Sequence, residues 1–399
     1  MHVSWQGQTP TLSFVTYWQQ HPLQYKAFTM AAQKLDGPSR HGKIYHICRS
    51  LPTFDDLSDC ELDDAIHSSV ENHLPMLRAF DEGLPVHLRR KPQPAWLELT
   101  CVTVHACNTM TGSYLSPRQA TAMMQHIDLL YRVDDFMEAL VEAYGIHDIS
   151  AAYPILRRCF QPYLDLTPNV HAPHHEPRKI DSPMEEHPAI ERPIELEEHL
   201  KDVVERMHTY PITEAHEQDR QWYSLELYDF FVAQLQQLYS QPPKKFAPVK
   251  LHKWVTDVGA RSAGTKYTFA LFSCFIPRLR VARCWNTPLQ LYLAQEFAQQ
   301  ISVEFRLLND IGGRVRDERD RTMSSCALVE GGDYSGLMQI AEHAASCSET
   351  LLDKLVNASV DASLPDEVAR VRALLDLFRK SVRLSGELYM ANEPNRVAS

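Results

Sequence analysis

The residues with the clearest chemical potential lie between Asn309 and Asp317, at the end of an apolar stretch. The apolar residues that precede them recur at helical spacing: Phe297, Ile301, Phe305 and Leu308. Because residues four apart share one face of a helix, Asn309, Gly313 and Asp317 would lie on the same side, with Arg316 close by. An amide oxygen and a carboxylate suit Mg²⁺, which proteins usually hold with few carboxylates, water and substrate phosphates. The spacing predicts half of a cation and phosphate site, with water in place of a side chain at Gly313. A solvated polar face is the alternative.

A second acidic group lies 175 residues earlier (309 − 134), where Asp134 to Glu138 reads Asp-Asp-Phe-Met-Glu. On a helix, Asp134 and Glu138 share a face, and Asp135 lies beside them. Three carboxylates within five residues repel one another unless a cation or a basic group offsets them. The flanking residues are apolar: Leu129, Leu130, Val133, Phe136, Met137 and Leu140. This pattern favours a carboxylate that faces a cavity, although an exposed acidic patch would share it.

Together the two segments resemble the metal-binding motifs of class I terpene synthases. That family has an aspartate-rich motif, D-D-x-x-D/E, and a later motif, N-D-x-x-S/T/G-x-x-K/R-E/D. The first motif is matched by Asp134, Asp135 and Glu138. The second is matched by Asn309, Asp310, Gly313, Arg316 and Asp317. Two positions of the second motif carry the pattern's less usual residue, because Gly313 replaces a hydroxyl ligand and Asp317 replaces the usual Glu.

The resemblance implies roles for further residues. Arg261 lies 48 residues before Asn309 (309 − 261), similar to the family's diphosphate-sensing Arg, and Gly264 resembles its small effector residue. Arg396 lies where the family has a C-terminal Arg-Tyr pair, but Val397 follows it. The resemblance implies three Mg²⁺ ions as cofactor, with Mn²⁺ as an alternative metal. The implied metal ligands are Asp134, Glu138, Asn309 and Asp317. The implied diphosphate-binding residues are Arg261, Gly264, Arg316 and Arg396.

Another stretch, from Asp55 to Asp59, also spells Asp-Asp-x-x-Asp. It lies at the predicted start of a helix, where Asp is favoured by capping and by the helix dipole. We therefore assign the metal-binding role to Asp134 and a capping role to the earlier stretch.

Helical periodicity recurs along the chain, and strand alternation is scarce. The sequence therefore predicts an all-α fold, and the resemblance implies a class I terpene synthase-like bundle around a central active-site cavity. The predicted helices include Trp96 to Met110, Pro117 to about Tyr144, two between Glu195 and Tyr239 that separate near Pro211, Leu289 to about Arg319, Asp333 to about Ala358, and Pro365 to about Met390. Residues 1–52 would form an N-terminal extension that packs on a helical domain, 53–399. Prolines and histidines from about 163 to 200 predict a flexible insertion in that domain.

Composition narrows the classes of function. The formal net charge of −11 disfavours a nucleic-acid partner. The 9 Cys residues lack C-x-x-C spacing, which favours reduced thiols over disulfides or a zinc site. We see no secretory signal and no run of about 18 apolar residues. We therefore expect a soluble, cytoplasmic protein without a membrane span. Its oligomeric state stays open, with a homodimer among the alternatives.

The resemblance implies Mg²⁺-dependent ionisation and cyclisation of a linear prenyl diphosphate. A weaker resemblance to fungal sesquiterpene cyclases, including humulene-forming ones, indicates farnesyl diphosphate as substrate and a hydrocarbon such as humulene as product. Ionisation of the prenyl diphosphate would produce an allylic carbocation. This carbocation would need a pocket that excludes water and is lined by aromatic side chains. Candidate lining residues, each of which core packing explains as well, are Phe230, Phe231, Tyr267, Phe269, Phe272 and Trp285.

Three other functions have to be weighed. An isoprenyl chain-elongating synthase would need a second aspartate-rich motif late in the chain, which the Asn309 segment is not. A metal-dependent phosphohydrolase could use His147-Asp148, although this dipeptide follows the predicted helix end. A non-catalytic helical scaffold could carry the same acidic faces for solvation alone.

Overall fold

A computed structural model describes Tyr45, Cys48, Arg49 and the ranges 51–84, 94–144, 149–164, 194–209, 215–240, 250–276, 285–329, 334–360 and 364–392. Within these ranges the chain is almost entirely helical and contains no strand, so the predicted all-α class is confirmed. The helices, numbered here in chain order, are α1 Asp59–Asn72, α2 Leu74–Gly83, α3 Pro94–Met110, α4 Pro117–Tyr144, α5 Ile149–Phe160, α6 Ile194–Thr209, α7 Glu217–Tyr239, α8 from Leu251 to Ser262, α9 Thr265–Ser273, α10 Pro288–Asp320, α11 Tyr334–Ser359 and α12 Pro365–Asn392.

Helix α8 is irregular. It begins with Leu251–Lys253, continues as a π-helical segment at Trp254–Gly259, and ends with the α-helical turn Ala260–Ser262. Segments of π-helix are rare and are often found at functional sites. This one lies one helical turn before the break between α8 and α9, which consists of Ala263 and Gly264.

The two ends of α10 follow from the local sequence. Thr287 accepts a hydrogen bond from the backbone N–H of Gln290, and the Gln290 side chain accepts one in return from the backbone of Thr287. This capping box, with Pro288 in the first turn, satisfies N–H groups that have no partner inside the helix. The helix ends where Arg321 adopts a left-handed backbone conformation, φ 56°. Side chains from this long helix reach several neighbouring elements.

The α10–α12 crossing depends on two glycines. A Cβ atom on Gly312 would lie 2.8 Å from the backbone carbonyl of Tyr389, and one on Gly386 would lie 2.6 Å from Cδ1 of Leu308. Both distances are too short for a real Cβ atom, so glycine at these positions lets the α12 backbone approach Gly312 and the Leu308 side chain approach Gly386. This close packing fixes the position of α10 against α12.

Helix α9 lies at the centre of the bundle and packs against α4, α7, α10 and α12. The aromatic residues considered as pocket lining are each at most 1% exposed: Phe230, Phe231, Tyr267, Phe269, Phe272 and Trp285. Their rings contact one another and neighbouring rings, as where Phe269 meets Phe378 edge to face at 5.1 Å between centroids. In the described structure these side chains belong to the core.

The Asp55 to Asp59 stretch precedes and begins α1. Ser58 caps α1 in a capping box with Glu61, and Asp59 lies in the first turn. Asp56 is exposed and lies 3.3 Å from Nζ of Lys380. The stretch thus lies at a helix start, as the sequence predicts, but Ser58 rather than an aspartate is the cap.

Some predictions lie outside the described residues. Arg396 and His147-Asp148 are among them, as are most of the proposed N-terminal extension and residues 165–193 of the proposed insertion. The domain boundaries therefore stay predictions. Of the helices in the described ranges, none combines the length and the apolar character that a membrane crossing needs.

Candidate functional site

The acidic motif lies within the regular backbone of α4, so Asp134 and Glu138 are four residues apart on one helix. Val133 and Met137, which flank them, are fully buried. The side chains of Asp134, Asp135 and Glu138 are outside those described, and their metal-binding roles stay predictions. Among the side chains that are described, no group of three or more His, Cys, Asp or Glu could hold a metal ion.

The break between α8 and α9 packs directly onto this helix. Gly264 has φ 74°, a conformation that favours glycine, and it precedes the first turn of α9. A Cβ atom on Gly264 would lie 2.3 Å from Cδ1 of Leu130, which is one helical turn before Asp134. The predicted effector residue thus lies against the helix of the acidic motif, and its positive φ favours glycine at this position.

Arg261 occupies the last turn of α8, three residues before Gly264. Its Nη2 atom lies 2.9 Å from Oδ1 of Asp229 on α7, and its Nη1 atom donates to the backbone carbonyl of Asp257. The side chain is 20% exposed. The guanidinium group is therefore held near the surface, where an anion could compete with the Asp229 carboxylate.

Two adjacent residues of the second motif, Asn309 and Asp310, have different surroundings. Asp310 is fully buried, its Oδ1 lies 2.8 Å from Nε of Arg306, and its Oδ2 accepts hydrogen bonds from the backbone N–H and hydroxyl of Ser325. These contacts join α10 to the 3₁₀ turn Ser325–Leu328. Asn309, one residue earlier, is only partly buried. The structure thus gives Asp310 a structural role and leaves Asn309 as the candidate ligand.

Asp317 provides the second candidate ligand on α10. It is 5% exposed, and its Oδ1 lies 3.2 Å from Nη2 of Arg316. Burial raises the pKa of Asp317 to about 6, and the negative charge of Asp310 acts in the same direction. The guanidinium groups of Arg316 and Arg306 oppose the rise. The nearby arginines thus offset only part of the cost of burying the Asp317 carboxylate. This carboxylate and the amide of Asn309, on the same helix, are the kinds of oxygen ligand that fit a hard cation.

Gly313 explains where the Arg316 side chain lies. A Cβ atom on Gly313 would be 2.9 Å from Nη2 of Arg316 and 3.6 Å from Oδ1 of Asp317. The sequence suggested that water could take the place of the missing hydroxyl. The end of the Arg316 side chain lies beside this position, and the replacement of the hydroxyl by water stays a prediction.

Sequence reasoning missed Arg306. This residue is 6% exposed, and besides Asp310 it contacts Gln237 and Ser262. Its spacing of four residues from Asp310 could have indicated an ion pair. The contacts with α7 and α8 depend on helix packing and leave no local pattern in the sequence.

A groove of about 740 Å³ lies away from these residues, between the loop after α3 and helices α11 and α12. None of the predicted site residues lines it. Its charged side chains pair with one another, as Arg372 does with Asp353 and Arg379 with Glu349. We assign no role to this groove.

Comparison with known proteins adds independent information. No family model matches the chain. The chain is 23% identical over 319 residues to pimaradiene synthase from Emericella nidulans, in a match that covers 70% of this chain and 31% of that protein. The chain thus spans about a third of the length of this curated relative. The chain is thus similar to a terpene synthase, and its two acidic motifs resemble the metal motifs of that class of enzyme.

Proposed function

We propose that this protein is a Mg²⁺-dependent class I terpene cyclase that ionises and cyclises a linear prenyl diphosphate and releases diphosphate. The observation that supports this most strongly is the position of the α8–α9 break. Gly264 in this break lies against Leu130 of α4, and Ser262 contacts Arg306 of α10. Residues 262–264, which follow Arg261, therefore contact both helices that carry the metal motifs, α4 and α10.

The donor set on α10 fits the expected metal. Asn309 and Asp317 would hold Mg²⁺ from α10, and Asp134 and Glu138 would hold it from α4, as the family resemblance implies. When bound, Mg²⁺ supplies positive charge that stabilises the developing negative charge on the diphosphate leaving group. Three ions, and Mn²⁺ in place of Mg²⁺, are part of the same proposal.

Arg261 and Arg316 would bind the diphosphate through charge-assisted hydrogen bonds. Each now pairs with a carboxylate, Asp229 for Arg261 and Asp317 for Arg316. Substrate binding would thus exchange one anionic partner for another. Arg396, outside the described residues, is a further candidate for this role.

For the substrate, we propose farnesyl diphosphate, with a sesquiterpene hydrocarbon such as humulene as the product. This finer proposal rests on the weaker resemblance to fungal sesquiterpene cyclases. Geranyl, farnesyl and geranylgeranyl diphosphates, supplied separately with Mg²⁺ and followed by gas chromatography and mass spectrometry, test it. The largest hydrocarbon yield is expected from farnesyl diphosphate, and a preference for another chain length would overturn this choice.

The cyclase assignment is tested with Asp134→Ala and Asn309→Ala in the same assay. We expect each substitution to reduce hydrocarbon formation about 100-fold or more, the size of effect seen when a group that stabilises developing charge is removed. Asp56→Ala, in the capping Asp-Asp-x-x-Asp stretch, is the matched control and should retain activity. Undiminished hydrocarbon formation by both site variants would refute the assignment of the metal sites. Longer diphosphates formed after addition of isopentenyl diphosphate would indicate a chain-elongating synthase instead.

A further inference from the structure

Arg306 is a buried cation that contacts three parts of the structure. From α10, its Nε lies 2.8 Å from Oδ1 of Asp310. Its Nη1 donates to Oε1 of Gln237 on α7 at 3.0 Å and to the hydroxyl of Ser262 on α8 at 3.4 Å. Its guanidinium also lies over the ring of Trp254, 5.8 Å from the centroid. One side chain thus joins the second metal motif to α7 and to both ends of the π-helical region.

The backbone of α8 is shaped to accept this side chain. A Cβ atom on Gly259 would lie 3.0 Å from Cγ of Arg306, so any larger residue at Gly259 would press on the stem of the arginine. Gly259 ends the π-helical segment and lies two residues before Arg261. The path of the backbone into Arg261 therefore depends on where Arg306 lies.

Ser262 strengthens this link. Its hydroxyl donates to the carbonyl of Gly259 while accepting from Arg306, and its own carbonyl accepts from Nε2 of Gln234. Arg261 lies between Gly259 and Ser262 in sequence, and both of these residues pack against Arg306. A shift of Arg306 would move the backbone that carries the predicted diphosphate-binding guanidinium.

Stability alone is a weak reason for this arrangement, because the desolvation of a buried ion pair often offsets the Coulombic gain. Arginine suits a linking role, since its planar group donates in several fixed directions at once. We propose that Arg306 is a positioning residue that couples the second metal motif to the Arg261 segment. Binding of diphosphate and Mg²⁺ at either of these two regions would then affect the structure of the other. This inference rests on the proposed function.

Hydrogen exchange tests the coupling without requiring turnover. Wild-type protein is measured alone and with Mg²⁺ and inorganic diphosphate, and we expect ligand-induced protection at both 254–265 and 309–325. In Arg306→Lys, which keeps the charge but loses the planar group, the protection at 254–265 should fall by at least half. The affinity for diphosphate, measured by calorimetry, should weaken about tenfold. The KM for the prenyl diphosphate should rise more than kcat falls.

Milder variants protect the test against a folding defect. Gln237→Met and Ser262→Ala each remove one partner of Arg306, and each should show a smaller loss of the same kind. Arg314→Lys is the matched control: this α10 arginine donates to the carbonyl of Ile311 and lies over the ring of Tyr334, outside the network. It should leave ligand-induced protection unchanged.

The outcomes separate the two proposals. Wild-type protein that binds diphosphate with Mg²⁺ but forms no hydrocarbon would overturn the proposed function, while the coupling could still be measured. Active wild-type protein, together with Arg306 and Gln237 variants that lower thermal stability yet keep full diphosphate affinity and full protection at 254–265, would overturn the coupling. If Arg306→Lys does not fold, the Gln237 and Ser262 variants decide the matter.

Discussion

Adjacent residues of α10 face two different parts of the molecule. Gly312 faces α12, where the backbone of Tyr389 leaves no room for a side chain. Gly313 faces the candidate site, where its nearest neighbour is the end of the flexible Arg316 side chain. The same contrast separates Asp310, which is fully buried and paired, from Asn309, which is partly buried.

The comparison indicates that residue type alone does not reveal the role of a motif position. The packed face of α10 is constrained by backbone approach and by buried ion pairs, so changes there should lower stability. The face that carries Asn309, Gly313 and Asp317 is constrained by the ligands that it would bind. Changes on this face should mainly alter activity.

The largest expected effect on stability comes from Asp310→Asn. The substitution leaves the buried Arg306 without its counter-charge, which costs about 3–5 kcal/mol when one partner of a buried pair is lost. Denaturant unfolding measures this loss. Asn309→Ala is the matched control on the neighbouring residue and should change stability by no more than about 1 kcal/mol. Equal losses of stability in the two variants would contradict the different roles assigned to Asp310 and Asn309.

A smaller loss is expected for Gly312→Ala. The added Cβ would lie 2.8 Å from the carbonyl of Tyr389, so α10 and α12 would have to separate. Such overpacking typically costs about 1–3 kcal/mol. Gly336→Ala on α11 is the control, because no heavy atom lies within 4 Å of its would-be Cβ. That variant should be neutral or gain roughly 0.5–1 kcal/mol from reduced chain entropy. A similar melting temperature for both variants would contradict the close α10–α12 approach.

The pH dependence of stability tests the packed face in another way. Glu304 of α10 is 3% exposed and accepts a hydrogen bond from Arg383 at 3.3 Å. Burial raises the pKa of Glu304 to about 6 from an ordinary value of 4.5, against the opposing charges of Arg383 and Arg379. A raised carboxyl pKa favours the folded state below the unfolded pKa, and this contribution is lost as the pH rises through about 6.

Glu304→Gln removes this titration. Relative to wild type, the variant should gain on the order of 2 kcal/mol of stability as the pH rises from about 4.5 to above 6. Urea unfolding at pH 4.5, 6 and 7.5 provides the measurement. A stability difference between variant and wild type that does not change over this range would show that Glu304 keeps its ordinary pKa.

The smallest stability change is expected for Gly313→Ser, on the site-facing side. The closest neighbours of the new side chain would be the flexible end of Arg316 and, at van der Waals distance, the carboxylate of Asp317, and Ser is a better helix former than Gly by a few tenths of a kcal/mol. We expect a change of less than about 1 kcal/mol and no loss of hydrocarbon formation, because the hydroxyl restores a ligand type that the family pattern contains. Thermal unfolding and product assay together check both parts. A loss as large as that of Gly312→Ala would contradict the assignment of the two faces.

Much of the fold could be predicted from local signals. The bounds of α4, α10 and α12 follow from helical periodicity, prolines at first turns and capping residues, all of which lie close in sequence. The start of α1 at the Asp55 to Asp59 stretch could be predicted for the same reason, although Ser58 and not an aspartate is the cap. The motif spacing also identified Arg261 and Gly264 as residues to examine.

The division of the second motif could not be predicted in this way. Successive residues of a helix point about 100° apart, so the different surroundings of Gly312 and Gly313 depend on which side meets α12. Arg306 reaches Ser262 and Gln237 across 44 and 69 residues of sequence. Only the packed arrangement of α7, α8 and α10 brings these groups together.

The most direct test of the account is hydrocarbon formation by Asp317→Asn with Mg²⁺ and farnesyl diphosphate. This near-isosteric substitution removes the carboxylate charge while leaving the packing of α10 intact. We predict a folded protein whose hydrocarbon formation falls about 100-fold, and whose half-maximal activity requires more Mg²⁺, because a ligand that neutralises the cation is lost. Wild-type activity with an unchanged Mg²⁺ requirement would contradict the proposal that α10 carries half of the metal site.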